Sequence, residues 1–514
     1  MRWVRFMLWM ILGVALIWVA GRLVFPVPPT EGRDTESAIP FDESTTLGPR
    51  AAEALTAHPG QSGVVPLPGG TQALQSRLAL IQGAERSLDV MYYIWHDDES
   101  GLILMDTLRD AAERGVRVRL LLDDNGIAGL DPILAALNTL PDFSVRLFNP
   151  SVIRQPKMLG FALYPLRMNR RMHNKALIVD GAAAIVGGRN IGNEYFAVGD
   201  APAYLDLDVL GVGQVVPDTA RIFDEYWNSQ PVLALEQVIS GSGDMQAFDR
   251  AVETAQNSEI GRAFTASART AASRMTEGEA PSMEWTTVQV VADDPAKGVG
   301  EATRSELMIT RLRDILGGVD RSLDLISAYF VPGRQGSRMF AELARDGARI
   351  RVLTNSWQAT DVPMVHAGYV KYRRELLEAG VQLYELKHVS GSPAGKEELG
   401  PVGSSGASLH AKTFSVDDAR LFIGSFNFDP RSALLNCEMG FLIESADMAR
   451  AGADAMTDRL ADRSYQPMLV DGDMQWRDPQ PDGTARIIDS EPDLGLFDRV
   501  LVYILNLLPI EGLL

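Results

Sequence analysis

The sequence is poor in the residues that most often carry chemistry. A single cysteine, Cys437, stands among 514 residues. That excludes an intramolecular disulfide and a cysteine-rich zinc centre. Histidine occurs six times, and only seven of the 48 basic residues are lysine. Asp and Glu total 67, so the formal net charge is −19. Such a chain lacks the clustered positive charge that displaces counterions from nucleic-acid phosphates, which argues against a general nucleic-acid binder. Hydrophobic residues at 46% and charged residues at 22% make a globular composition. The length suits two domains, each burying its own core.

One long apolar run stands out. Phe6–Ala20 carries no charge, and Leu23–Val27 continue it past Gly21 and Arg22. With Arg22 snorkelling to the headgroups, the run of about 22 residues is long enough to cross a bilayer core. Arg2 and Arg5 precede it, while Glu31, Asp34 and Glu36 follow. This bias places the N-terminus inside and the body outside. A cleaved signal peptide is the competing reading. Trp18, three residues before a cut after Ala20, is a poor small-residue site, so an uncleaved anchor is expected.

The remainder repeats itself. RSLDVMYYIW (86–95) recurs as RSLDLISAYF (321–330), and RGVRVRLLLDD (114–124) as DGARIRVLTNS (346–356). MHNKALIVDGAAAIVGGRN (172–190) recurs as LHAKTFSVDDARLFIGSFN (409–427). The order is kept and the offsets nearly constant, so the chain holds two copies of one module. Strand-like runs alternate with helical stretches, the pattern of an α/β domain with a parallel or mixed sheet. The expected division is an anchor at 1–28, a linker at 29–57 and a first domain at 58–239. A connector at 240–290, a second domain at 291–465 and a tail at 466–514 complete it. In the tail, Leu494, Phe497, Leu501, Ile504, Leu505 and Leu508 share a helical face and are expected to pack on the body. Lying on a membrane surface is the alternative.

The scarce residues converge in the third repeated block. His173-x-Lys175-x4-Asp180 and His410-x-Lys412-x4-Asp417 are one pattern at one register of the duplication. On a strand, His and Lys two apart point to the same face. Asn190 and Asn427 follow Gly-Gly and Gly-Ser pairs that allow close backbone approach. If the copies pack about a pseudo-twofold axis, two imidazoles, two ammonium groups and two amides share a pocket. Such a pocket suits a phosphodiester. One neutral His attacks phosphorus, the other acts as acid and then base, and Lys and Asn stabilise the phosphoryl oxygens. The pattern calls for no metal or other cofactor.

These motifs resemble the phospholipase D superfamily, whose hallmark is the duplicated HxKxxxxD followed by G-G/S-x-N. Blocks such as YLDLDVLGVGQVV, DDPAKG and CEMGFLIES are similar to its bacterial cardiolipin synthase C-like subgroup. The resemblance implies two similar phospholipase D-type α/β domains with the active site at their interface; the N-terminal membrane helix lies outside the match and is read from its own residues. It implies His173 as nucleophile, His410 as general acid, and Asp206 and Glu438 as acids that orient the histidines, with Asp208 as an alternative to Asp206. Asp180 and Asp417 are either catalytic or turn-forming. It further implies phosphatidyl transfer to phosphatidylglycerol, possible use of phosphatidylethanolamine as donor, and a small partner protein in some members. From the apolar span and its charge bias, the expected setting is a bacterial inner membrane with the body on the periplasmic side.

Weaker candidates remain. Residues 151–171 mix Arg154, Lys157, Arg167, Arg170 and Arg171 with Met158, Leu159 and Phe161, a patch able to receive anionic headgroups. Arg170, Arg171 and Arg431 are expected to bind substrate. His366 is a more remote candidate, and the Ser/Gly-rich stretch 389–408 is expected to form a loop or lid. The alternatives to a transferase are a phospholipase D-type hydrolase, a nuclease and an inactive membrane scaffold.

Overall fold

The computed structural model describes residues 2–199, 204–276, 282–388, 409–480, 482–508 and 511–514. Each module is built on six strands in one order. In the first these are Phe143–Phe148, Arg117–Gly126, Ser87–Ile94, Ala176–Val179, Ala183–Gly187 and Asp208–Gly213. In the second they are Gln382–Leu386, Arg349–Asn355, Ser322–Ser327, Lys412–Val416, Arg420–Gly424 and Met439–Ile443. In both, the first three are parallel and the rest antiparallel. The parallel pairs require crossovers, which helices Glu99–Glu113 and Gly333–Arg345 supply. Asp98 caps the first of these, accepting from Gly101 N at 3.0 Å. The central strands are buried on both faces, as parallel strands covered on both sides must be.

The two modules pack equivalent strands against each other. Val186 and Val209 of the first share one apolar cluster with Ile423, Met439, Phe441 and Ile443 of the second. This is the pseudo-twofold pairing that the repeat demands. Adjacent strands stitch the modules together. Glu284–Thr286 joins the edge of the first sheet, and Val288–Ala292 opens the second. The connector carries helices Met245–Asn257 and Glu259–Thr276, whose Phe248, Val252 and Phe264 enter the first module's core.

The tail departs from its expected packing. Strands Ser464–Val470, Asp473–Pro479 and Ala485–Ile488 extend the second sheet, and helix Leu496–Leu507 follows. That helix rests on helix Pro363–Glu378 and buries Val502. Phe497 is 90% exposed, and Leu501, Ile504 and Leu508 are also exposed. Most of the stripe is therefore open to solvent, with Leu494 and Leu505 half-buried, and the fully buried contact is made by Val502. At the other end, helix Arg2–Val24 buries none of its residues.

Candidate active site

His173 and His410 lie just ahead of strands Ala176–Val179 and Lys412–Val416, not inside them as the alternation suggested. The segments holding them are extended because they pair across the module boundary. Met172 bridges Cys437, and His173 N donates to Cys437 O at 2.8 Å. Leu409 bridges Leu205, and His410 N donates to Leu205 O at 2.9 Å. In each case the next residue on the partner segment is the acid. His173 Nδ1 is 2.8 Å from Glu438 Oε2, and His410 Nδ1 is 2.6 Å from Asp206 Oδ2. Each module thus supplies the acid for the other module's histidine. With Nδ1 so engaged, Nε2 is the nitrogen left for chemistry.

Lys175 Nζ donates to His173 O, and Lys412 Nζ to His410 O. Each ammonium also acts on the opposite module's imidazole, so the two sets share one electrostatic site. Burial, then Lys175 and Lys412, push His173 well below its ordinary value. Burial and Lys412 push His410 down to about 4, against the pull of Asp206. Burial also pushes Lys175 well down, opposed by Glu438 and aided by Lys412.

The two acids differ. Burial pushes Glu438 up to about 7, with Lys175 and Ser425 opposing. Burial acts the same way on Asp206, but the charge and hydrogen bond of His410, with Lys412, outweigh it and hold that carboxylate well below its ordinary range. Ser425 and Gly188 are equivalent repeat positions that differ at these acids. Ser425 Oγ donates to Glu438, whereas a Cβ on Gly188 would fall 2.2 Å from Asp206 Oδ1. Glycine is required there for the carboxylate to fit.

The other expected residues fall into place unevenly. Asn190 Nδ2 donates to Tyr195 OH at 3.1 Å, and its Oδ1 accepts from Ile94 N at 3.3 Å. Asn427 Oδ1 is buried with no hydrogen-bond partner among the described residues. Asp180 accepts from the backbone N–H groups of Glu85, Arg86 and Ser87 at 2.8–3.0 Å. Asp417 does the same for Asp320, Arg321 and Ser322. Both lie at left-handed turn positions, where they pin the start of the neighbouring strand. Asp208 pairs with Arg77 and Arg189 instead of a histidine.

The expected arginine cradle is largely spoken for. Arg171 is fully buried on Asp123 and on the carbonyls of Phe148 and Met168. Arg170 donates to the carbonyls of Lys297 and Leu434, and Arg431 to Asn169. Arg154 and Lys157 are neutralised by Asp124, with Asp131 also on Arg154. Within the basic patch read from the sequence, Arg154, Lys157 and Arg171 are thus matched by acids that sit elsewhere in the chain, while Arg167 and Arg170 rest on backbone carbonyls. His366 is buried on Glu491 at 2.7 Å. The stretch 389–408 lies outside the described residues.

Several neighbours were not foreseen. The Tyr93 ring stands edge-on to His173, centroids 4.9 Å apart, and Tyr195 and Tyr204 pack on His410 at 5.1 and 5.4 Å. Asp293, in the DDPAKG block, accepts from Glu438 N at 2.9 Å and pairs with Lys297. The position of Tyr93 at the end of the first repeated strand was the available signal. Separately, His96, Asp98 and Glu194 bring ligand-type atoms within 4.8 Å of one another. Asp98 already accepts from Gly101 and Asn193, where it caps a helix, and His96 lies 3.1 Å from Glu194.

Two modules of this topology, meeting at a pair of histidines, define a phospholipase D-like protein. The fold is similar to a crystal structure of phosphatidylserine synthase from Haemophilus influenzae Rd KW20, with a TM-score of 0.57 and 14% identity over 90% of this chain and all of that one. Residues 78–202 and 312–458 match the family described as cardiolipin synthase, PLD-like domain, and the chain belongs to that family. It is 43% identical to cardiolipin synthase C of Escherichia coli K12, over 91% of this chain and the whole of that protein. It is also 25% identical to cardiolipin synthase B of the same strain, over 73% of this chain and 75% of that protein.

Proposed function

We propose that this enzyme makes cardiolipin by phosphatidyl transfer to phosphatidylglycerol through a phosphatidyl-histidine. The unequal acids behind the two histidines carry the assignment of roles. Glu438, drawn toward neutrality, leaves His173 as an uncharged imidazole. Asp206, held ionised, stabilises a proton on His410 once an anionic phosphate occupies the pocket.

In the first half-reaction, His173 Nε2 attacks phosphorus and the bond to the head-group oxygen breaks. His410 gives its proton to that oxygen, and the alcohol leaves. In the second, His410 takes a proton from a hydroxyl of phosphatidylglycerol as its oxygen attacks phosphorus. The nitrogen–phosphorus bond breaks and His173 is restored. Lys175, Lys412 and Asn427 stabilise the phosphoryl oxygens as charge builds on them.

Glycerol or ethanolamine leaves according to the donor, phosphatidylglycerol or phosphatidylethanolamine. The N-terminal helix holds the enzyme in a bacterial inner membrane with its body on the periplasmic side. Thin-layer chromatography of phosphatidylglycerol vesicles, with and without phosphatidylethanolamine, tests the reading. Cardiolipin is the expected product. Phosphatidic acid alone would instead establish a hydrolase.

A further inference from the structure

The foot of the N-terminal helix is fixed to the segment that leads into the active site. Trp18 Nε1 donates to Ala162 O at 3.2 Å. The Arg22 guanidinium lies 4.6 Å from the ring centroids of both Trp18 and Tyr164. Tyr164 OH donates to Phe25 O at 2.8 Å. Trp, Tyr and a snorkelling Arg are the side chains that mark a bilayer–water boundary. A helix of 23 residues is roughly 34 Å long at 1.5 Å per residue, against a bilayer core of about 30 Å. Its last turns, and the short helix Met158–Leu163 touching them, therefore sit at interface depth.

That short helix and the turn after it present apolar side chains outward. Met158 is 80% exposed, Leu166 81% and Leu159 51%. The cations interspersed among them face inward, on Asp124, Asp131 and the Pro150 carbonyl. Arg170 reaches across to the carbonyl of Leu434, itself exposed. His173 follows a few residues on.

We propose that Met158, Leu159 and Leu166, with Leu434, form an apolar foot inserted in the bilayer interface beside the membrane helix, seating the active-site entrance on the lipid surface. The surface continues that of the membrane helix, so one occupant, the bilayer, covers both. Because the helix already tethers the body, a small apolar contact suffices to hold this orientation. With Arg154 and Lys157 paired to acids and Arg167 turned onto the Pro150 carbonyl, the foot seats chiefly by apolar burial. The inference rests on the helix crossing a membrane and on a lipid substrate.

The full chain in vesicles tests it. Cys437 is buried and its thiol is pushed up by burial, so an introduced cysteine is labelled selectively. An environment-sensitive thiol probe is placed at Leu166→Cys, and at the exposed Glu113→Cys as reference. The expected result is that the Leu166→Cys probe is quenched by spin-labelled lipid and shielded from iodide, with the reference probe behaving oppositely. Quenching by iodide alone would overturn the inference. Shielding from both quenchers would also overturn it, by showing protein over the foot.

A second arm uses Met158→Asp with Leu166→Asp. Turnover should fall tenfold or more on vesicle lipid and stay within twofold on a short-chain phospholipid dissolved as monomers. Equal loss on both would contradict the proposal. The probe arm is repeated in His173→Ala protein and needs no turnover, so failure of the foot is distinguishable from failure of the transferase reading.

Discussion

His173 and Glu438 are 265 residues apart in the chain and 2.8 Å apart in space. His410 and Asp206 mirror them. Neither module holds a complete histidine–acid pair, so the site exists only when the modules are docked. The acids also bias the histidines differently, although the repeat places them equivalently.

That difference is testable by neutralising each acid. Asp206→Asn removes the ion that supports a proton on His410 and should lower kcat by about 100- to 10,000-fold, the usual range for lost acid–base catalysis. Glu438→Gln should cost less, because its partner acts as a neutral base-like nucleophile. Steady-state rates on vesicle lipid, with circular dichroism to confirm folding, decide the order.

The free pocket holds His173, His410 and Lys175 all below their ordinary values, because burial disfavours their charged forms and the neighbouring lysines add to it. A bound phosphodiester anion relieves this and raises all three. Binding therefore takes up protons and weakens as pH rises, by up to about tenfold per unit for each proton taken up. Titration calorimetry of a non-cleavable phosphodiester lipid in buffers of different ionisation enthalpy measures the uptake directly. No uptake, or proton release, would contradict the electrostatic account.

Asp180 is expected to act on stability and not on chemistry. Asp180→Ala strands three backbone N–H groups, those of Glu85, Arg86 and Ser87. The cost should be about 3 kcal/mol, since one buried unpaired donor costs on the order of 1–3. Thermal unfolding should shift down, while kcat per folded molecule stays within about twofold. A large loss of kcat without loss of stability would return Asp180 to the catalytic set.

Much of the fold and site is legible in the sequence. The duplication, its α/β character and the His-Lys-Asn sets are written in repeated local patterns. Asp206 and Glu438 were visible as acids in apolar strand-like runs. Which histidine each meets was not, because a contact spanning 265 residues leaves no local period. The basic stretch 151–171 misled for a similar reason: its neutralising Asp124 and Asp131 come from other elements. The tail's apolar stripe showed a helix, but periodicity does not say which face meets the body, and Val502 took that place. Of the aromatic walls, Tyr93 stands at the end of a repeated strand and so had a signal, whereas Tyr195, in the short helix Asn193–Phe196, and Tyr204 have no counterpart in the repeated blocks.

The central claim is that His173 carries the phosphatidyl group while His410 moves the proton. The direct measurement is to incubate His410→Ala protein with acyl-labelled phosphatidylglycerol, quench in alkaline denaturant, where phosphohistidine survives, and locate the label by peptide mass spectrometry. The account predicts label on His173 and none in His173→Ala protein. Label on another residue, or none at all when product still forms, would contradict it.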